Sequence, residues 1–228
     1  MTESTAMPFA TQPLLHRGVV FTRGHIDDDT LPEVISALLE AREKVGETAR
    51  IKYYISSSGG YAEVALALFD FIKGMGLVDT YAFGAVESAA TVLFAAGERR
   101  FVFPHSILGF HQVHVGGEGF SSAGHARLAD ARLDHIDKQY ASILADTSNK
   151  DKNWWLQTHA KGVQRESYFL TAQQLVDLEV AQYATAQDFV FARPTNAAAS
   201  TQHVPAPSVE PIAQGPTDRQ PPTPTTNQ

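Results

Sequence analysis

From Ile51 onward, short apolar runs alternate with segments of helical period, and that alternation constrains the fold more than any single residue. Ile51 to Ile55 reads as a buried strand ended by a serine-glycine turn. Ala62 to Met75 reads as a helix with Ala65, Leu66, Leu68, Phe69 and Ile72 mostly on one side. Val78 to Phe83 is again strand-like, Ser88 to Ala96 a short apolar helix, and Arg100 to Phe103 another strand. Strands separated by helices need crossover connections, and crossovers build a largely parallel sheet. The pattern begins earlier, with a β-type run at Gly18 to Thr22 and an amphipathic helix at Leu31 to Val45. It continues with a strand at Ile107 to Val113. From Ser122 to Thr147, Ala129, Leu133, Ile136, Tyr140, Ile143 and Leu144 hold helical spacing over several turns. A helix of that length exceeds what a small core requires, so part of it is expected to project or to pack on a partner. Thr171 and Gln174 have capping-box spacing at the head of a last helix. The expected class is α/β.

The 228 residues suffice for one substantial domain, expected over 14–193. Residues 1–13 are expected to be a loosely held N-terminal segment. Residues 194–228 hold eight of the twelve prolines and no Phe, Trp or Tyr. Such a stretch cannot bury enough apolar surface to offset its ordering entropy, so a disordered tail is expected. A net charge of −7 points away from nucleic acid and anionic membranes as main partners. No run approaches the length of a transmembrane helix, and the N-terminus carries neither a basic start nor an apolar signal region. The chain has no cysteine, which removes disulfides, thiol catalysis and cysteine-ligated metal and suits a cytoplasmic location.

Three segments carry chemistry. Gly59-Gly60 follows a strand and precedes a helix; glycine there permits positive φ and close approach, so a Gly60 N–H could face a developing oxyanion. A plain strand–helix turn would have the same sequence. No Gly-Lys-Ser/Thr follows, which disfavours nucleotide binding. Ser88 opens an apolar run beginning at Ala89; it is either an N-cap or a nucleophile whose negative charge the helix dipole and the Ala89 N–H would stabilise. The Gly-x-Ser-x-Gly elbow is not matched, because Val86 and Ala90 occupy its glycine positions. His111, on an apolar strand, is either a satisfied core histidine or a base of suitable range. His114 follows at i+3, on the opposite face of a strand, which argues against a shared metal.

These segments together resemble the ClpP family of serine peptidases, the proteolytic subunits of the Clp protease. The resemblance begins at Leu14-Leu15-His16-Arg17-Gly18-Val19-Val20-Phe21 and Gly24-His25-Ile26-Asp27-Asp28. It runs through Tyr54 to Gly60, Gly84 with Ser88-Ala89, Ala95-Ala96-Gly97-Glu98, His111-Gln112 and Gly116-Gly117, to Phe169-Leu170-Thr171-Ala172. It implies a ClpP/crotonase-like fold with strand–helix crossover units and a projecting handle helix. It implies Ser88 as nucleophile, His111 as general base, and Gly60 and Ala89 N–H groups as the oxyanion hole, with no cofactor or metal. It further implies stacked rings, homo-oligomeric or mixed, that enclose a chamber for protein or peptide substrates. An ATP-driven unfoldase would feed that chamber.

The chain departs from the family pattern at one consequential place. The position of the triad aspartate, two residues before Phe169, is Ser167, and Glu166 could substitute for it only if the loop shifts. A serine can orient a histidine but cannot stabilise imidazolium as a carboxylate does. Ser58 and Val113 also stand where the family has prolines. Two other readings therefore remain beside the serine endopeptidase: a catalytically weak or inactive ring subunit, and a crotonase-like acyl-CoA enzyme.

Overall fold

The computed structural model describes residues 12–114, 123–162 and 166–188. The expected N-terminal segment up to Thr11, Gly116-Gly117 and the Pro-rich tail lie outside the described residues. The elements run α1 (Gln12–Leu15), β1 (Val19–Ile26), α2 (Thr30–Val45), β2 (Ile51–Gly60), α3 (Ala62–Met75), β3 (Val78–Glu87), α4 (Ala89–Ala95), β4 (Arg99–Val102), β5 (Ile107–Phe110), α5 (Ala123–Ala145), α6 (Lys152–His159), β6 (Tyr168–Thr171), α7 (Ala172–Asp177) and β7 (Gln182–Tyr183). A short 3-10 turn follows at Ala186–Asp188.

The strands form one sheet in the order β1-β2-β3-β4-β7, with β5 pairing β3 and β6. Every pairing is parallel except β5 with β6. The mixed α/β architecture with a largely parallel sheet is the one the alternating pattern predicts. β3 has two sets of neighbours on that side: its first half, Asp79 to Ala82, pairs β4, and its last residues, Ala85 to Glu87, pair β5. Gly84, with φ of 80°, sits between the two halves. This change of partner carries the end of β3 alongside β5.

The helices bury most of their apolar stripes, although Leu39 of α2 is 52% exposed and Leu66 and Phe69 of α3 are only partly buried. Val34, Ala37, Leu38 and Ala41 of α2, and Val64, Ala65, Leu68 and Ile72 of α3, lie in the core. α4 is buried on every side, as its unbroken apolar sequence requires. Each large apolar side chain so enclosed contributes about 1.5–3 kcal/mol. In α5, Ile136, Tyr140, Ala141 and Leu144 are buried, whereas the preceding turns are largely exposed, with Leu128 at 72%. The helix anchors at its C-terminal half and projects at the other.

β2 and β3 continue beyond the predicted ends at Ile55 and Phe83. Ser56 to Gly60 stay in register with β1 across a shift between Gly24 and His25, so the serine-glycine run is the end of a strand rather than a turn that stops it. β5 is shorter than predicted and stops at Phe110. Asp79, at the far end of β3 from Ser88, is buried and held by Arg50 and Arg99. Burial alone would raise its pKa, but hydrogen bonds from the two guanidinium groups hold it below the ordinary carboxylate range.

Candidate active site

Ser88 occupies the junction between β3 and α4 with φ 53° and ψ −128°. A non-glycine residue held there stores strain on the order of 1–3 kcal/mol, which persists only when the surroundings over-determine it. The surroundings do so. The Ser88 N–H donates to Gly109 O at 2.8 Å, and the Ser88 carbonyl accepts from the Thr91 N–H at 2.9 Å and from Thr91 Oγ1 at 2.7 Å. The Ser88 hydroxyl makes no capping bond. The N-cap explanation of this serine therefore fails, and its side chain is left for chemistry.

The glycine pair is fitted against that junction. Gly59 has φ of 86°, and a Cβ on it would lie 2.6 Å from Ser88 Cβ, 2.7 Å from Glu87 O and 3.0 Å from Ala89 N. A Cβ on Gly60 would lie 2.0 Å from Ile26 O. The Gly59 N–H donates to Ser57 Oγ at 3.1 Å and the Tyr61 N–H to Ile26 O at 2.8 Å. Ala89 begins α4, where the first N–H groups have no intrahelical acceptor and the helix dipole is positive.

His111 follows the last residue of β5. Its Nδ1 lies 2.7 Å from Gln112 O. A carbonyl can only accept, so Nδ1 is the donor, and in the neutral ring this leaves Nε2 as the acceptor. Gly162 packs directly on it: a Cβ there would lie 2.6 Å from His111 Cβ and 2.4 Å from Phe110 O. The Val113 N–H donates to Asp137 Oδ1 at 3.0 Å, tying the segment after His111 to α5. Because the strand ends at Phe110, the prediction that His111 and His114 face opposite ways does not hold. Their ring centroids lie 5.1 Å apart.

Ser88 and His111 share no direct hydrogen bond; their backbones are joined through Gly109. Glu166 is exposed, and no hydrogen bond or ion pair among the described residues brings it to His111. Ser167 is half-buried and donates from Oγ to Glu87 Oε2 at 3.0 Å. Sequence reasoning missed Glu87, Gly109 and Gly162. A glycine inside an apolar strand signals close approach, and Gly109 was legible on that ground. The arrangement provides a strained, uncapped hydroxyl, a histidine whose Nδ1 is engaged by a carbonyl, and the first N–H groups of α4 beside the hydroxyl, a set that suits acyl transfer.

A family model described as Clp protease matches residues 4–178. The ATP-dependent Clp protease proteolytic subunit of Ligilactobacillus salivarius is 32% identical over 167 residues, which cover 72% of this chain and 81% of that protein. Proteolytic subunit 2 of the ATP-dependent Clp protease of Chlamydia trachomatis serovar D is 31% identical over 140 residues, 60% of this chain and 68% of that protein. Proteolytic subunit 1 of Chlamydia felis is 34% identical over 103 residues, 44% of this chain and 50% of that protein.

Proposed function

Because the chain belongs to the Clp protease family, we propose that it is the serine endopeptidase subunit of a Clp-type proteolytic chamber, with Ser88 as nucleophile and His111 as general base. The observation that carries this reading is Ser88 itself: strained between β3 and α4, with its hydroxyl not used as a cap. Strand–turn–helix geometry of this kind exposes a nucleophile at the positive end of a helix.

In the proposed cycle Ser88 Oγ attacks the scissile carbonyl while His111 Nε2 takes its proton. The Gly60 and Ala89 N–H groups stabilise the oxyanion, and His111 returns the proton to the leaving amine. Water then attacks the acyl-enzyme by the same proton path. None of these steps draws on a metal or cofactor.

The relatives are named as subunits of an ATP-dependent protease, while this chain has no Walker loop. ATP would accordingly be spent by a separate unfoldase that feeds a ring of these subunits, and the exposed half of α5 suits contact between rings. Among the described residues no helix is long and apolar enough to cross a membrane. A cytoplasmic location goes with this reading and with the cysteine-free composition.

A fluorophosphonate probe tests the assignment. The assembled protein should carry the label on Ser88 by peptide mapping, and Ser88→Ala should lose both the label and peptide cleavage. An assembled oligomer that takes no label at Ser88 would sink the reading and leave a structural ring subunit. A stable monomer in solution would count against the chamber.

A further inference from the structure

Where the family resemblance expects a carboxylate the chain has Ser167, and that hydroxyl is already engaged by another one, Glu87. Ser167 Oγ donates to Glu87 Oε2 at 3.0 Å. The contact crosses β5, and it exists because β5 has a glycine at the crossing. A Cβ on Gly109 would lie 2.9 Å from Glu87 Cγ, from Ser167 Cβ and from Phe169 Cε1. Glu87 therefore passes over Gly109 through space that any other residue would fill.

The register relates this pair to His111. Glu87 pairs with Gly109, and the antiparallel ladder runs Gly109 with Phe169 and Phe110 with Tyr168. His111 directly follows this ladder on β5, and Ser167 directly precedes it on β6. Glu87, paired with Gly109, thus reaches Ser167 beside the strand end from which His111 leaves.

We propose that Glu87, held in place by the Ser167 hydroxyl, supplies beside His111 the negative charge that position 167 lacks, as a positioning residue. The proposal rests on the Ser88–His111 reading above. The third role of the triad is divided: the Gln112 carbonyl fixes the tautomer, and the Glu87 carboxylate stabilises the imidazolium formed when Nε2 takes the Ser88 proton. Glu87 exchanges no proton in this scheme. The division answers the difficulty that a neutral partner orients a histidine without stabilising its charge.

Other titratable groups stand near His111. His114 lies 5.1 Å away between ring centroids. On α5, Asp137 accepts from the Val113 N–H and lies 3.7 Å from Nδ1 of the buried His159 on α6. Asp137 is thus engaged by partners of its own, whereas the described hydrogen bond of the Glu87 carboxylate is the one from Ser167.

The test compares Glu87→Gln, Asp137→Asn and the double variant Glu87→Gln/Ser167→Asp in the full-length assembled protein. Two quantities are read: the rate of fluorophosphonate labelling at Ser88, and the pH profile of kcat/KM on a fluorogenic peptide. Glu87→Gln keeps an acceptor for Ser167 and removes only the charge. Labelling should slow by about tenfold or more, and the acid limb should move to lower pH, because the imidazolium loses a stabilising anion. The double variant, which returns a carboxylate to position 167, should recover the rate and move the limb back. Asp137→Asn should leave the limb in place.

Normal labelling of Glu87→Gln with an unmoved acid limb overturns the proposal and leaves the assignment of Ser88 intact. Failure of the wild-type protein to label at Ser88 overturns that assignment, and the proposal with it. A limb that moves in Asp137→Asn but not in Glu87→Gln assigns the charge to α5 instead. Should Glu87→Gln not assemble, the double variant decides alone: assembled and active supports the proposal, assembled and inactive overturns it.

Discussion

The Ser88 N–H donates to Gly109 O at 2.8 Å, so the backbone of the proposed nucleophile is bonded to the strand that ends just before the proposed base. This bond holds Ser88 at a φ of 53° that only glycine adopts freely. Ser88→Gly and Ser88→Ala should both abolish peptide cleavage, yet they should differ in stability. The glycine variant relieves the strain, and it should exceed the alanine variant by about 1 kcal/mol despite its larger unfolded-state entropy. Urea midpoints of the two variants measure the difference, and equal midpoints would show that Ser88 is not strained.

Gly24 and Gly59 have nearly the same backbone angle, φ of 88° and 86°, in different surroundings. A Cβ on Gly24 would meet nothing within 4 Å, whereas one on Gly59 would meet Ser88 Cβ at 2.6 Å and Glu87 O at 2.7 Å. Gly24→Ala should therefore cost only the backbone strain, about 1 kcal/mol, and keep Ser88 reactive. Gly59→Ala adds overpacking of roughly 1–3 kcal/mol and should lose most fluorophosphonate labelling, because the displaced atoms are those of the nucleophile. Thermal melts and labelling rates of the pair separate conformational strain from local crowding.

The parts of this fold that periodicity can express were legible from the sequence. Helices α2, α3 and α5, the largely parallel sheet and the Thr171–Gln174 capping box follow from spacing, and the box is formed with both of its bonds. Small polar residues misled the strand ends: Ser56 to Gly60 look like a turn, but they remain paired with β1, and Ser57 Oγ donates to Gly24 O. α6 escaped notice because it is short and buries only Trp155, Thr158 and His159, although its Asp151 cap was visible. Ser88 and His111 could be singled out from residue type and flanking pattern. Glu87 could not, since its partner Ser167 lies 80 residues away and the contact depends on which strands are neighbours.

Gly162 is the support on which His111 rests. Its φ lies outside the positive region, so alanine meets no conformational penalty there, only the contacts at 2.4 Å to Phe110 O and 2.6 Å to His111 Cβ. Two of the three nearest atoms are backbone and cannot swing aside, so the strand end must move. Gly162→Ala should lower kcat by about tenfold to a hundredfold with a small change in KM, since misplacement by about 1 Å costs on that order. Steady-state kinetics on a fluorogenic peptide reads the split. A change confined to KM would place Gly162 in substrate binding instead.

Asp79 predicts how the fold responds to acid. Burial opposes ionisation of this carboxylate, but Arg50 Nη2 at 2.6 Å and Arg99 hold its pKa below the ordinary value of 3.8. A carboxylate whose folded pKa lies below its unfolded one contributes stability that is fully present above the unfolded value. That contribution is lost as pH falls through the folded value. The loss therefore belongs below about pH 4, and it should be weakly sensitive to salt because Asp79 itself is 1% exposed. Asp79→Asn should lower stability near neutral pH and flatten the acid branch of the stability curve. Removing a buried partner costs roughly 3–5 kcal/mol, but Arg99 is half-exposed and can rehydrate, which puts the expected loss nearer 2 kcal/mol. Urea unfolding at pH 7 and pH 3 measures both effects, and an Asn variant with the wild-type slope between those pH values would show that another group governs the acid response.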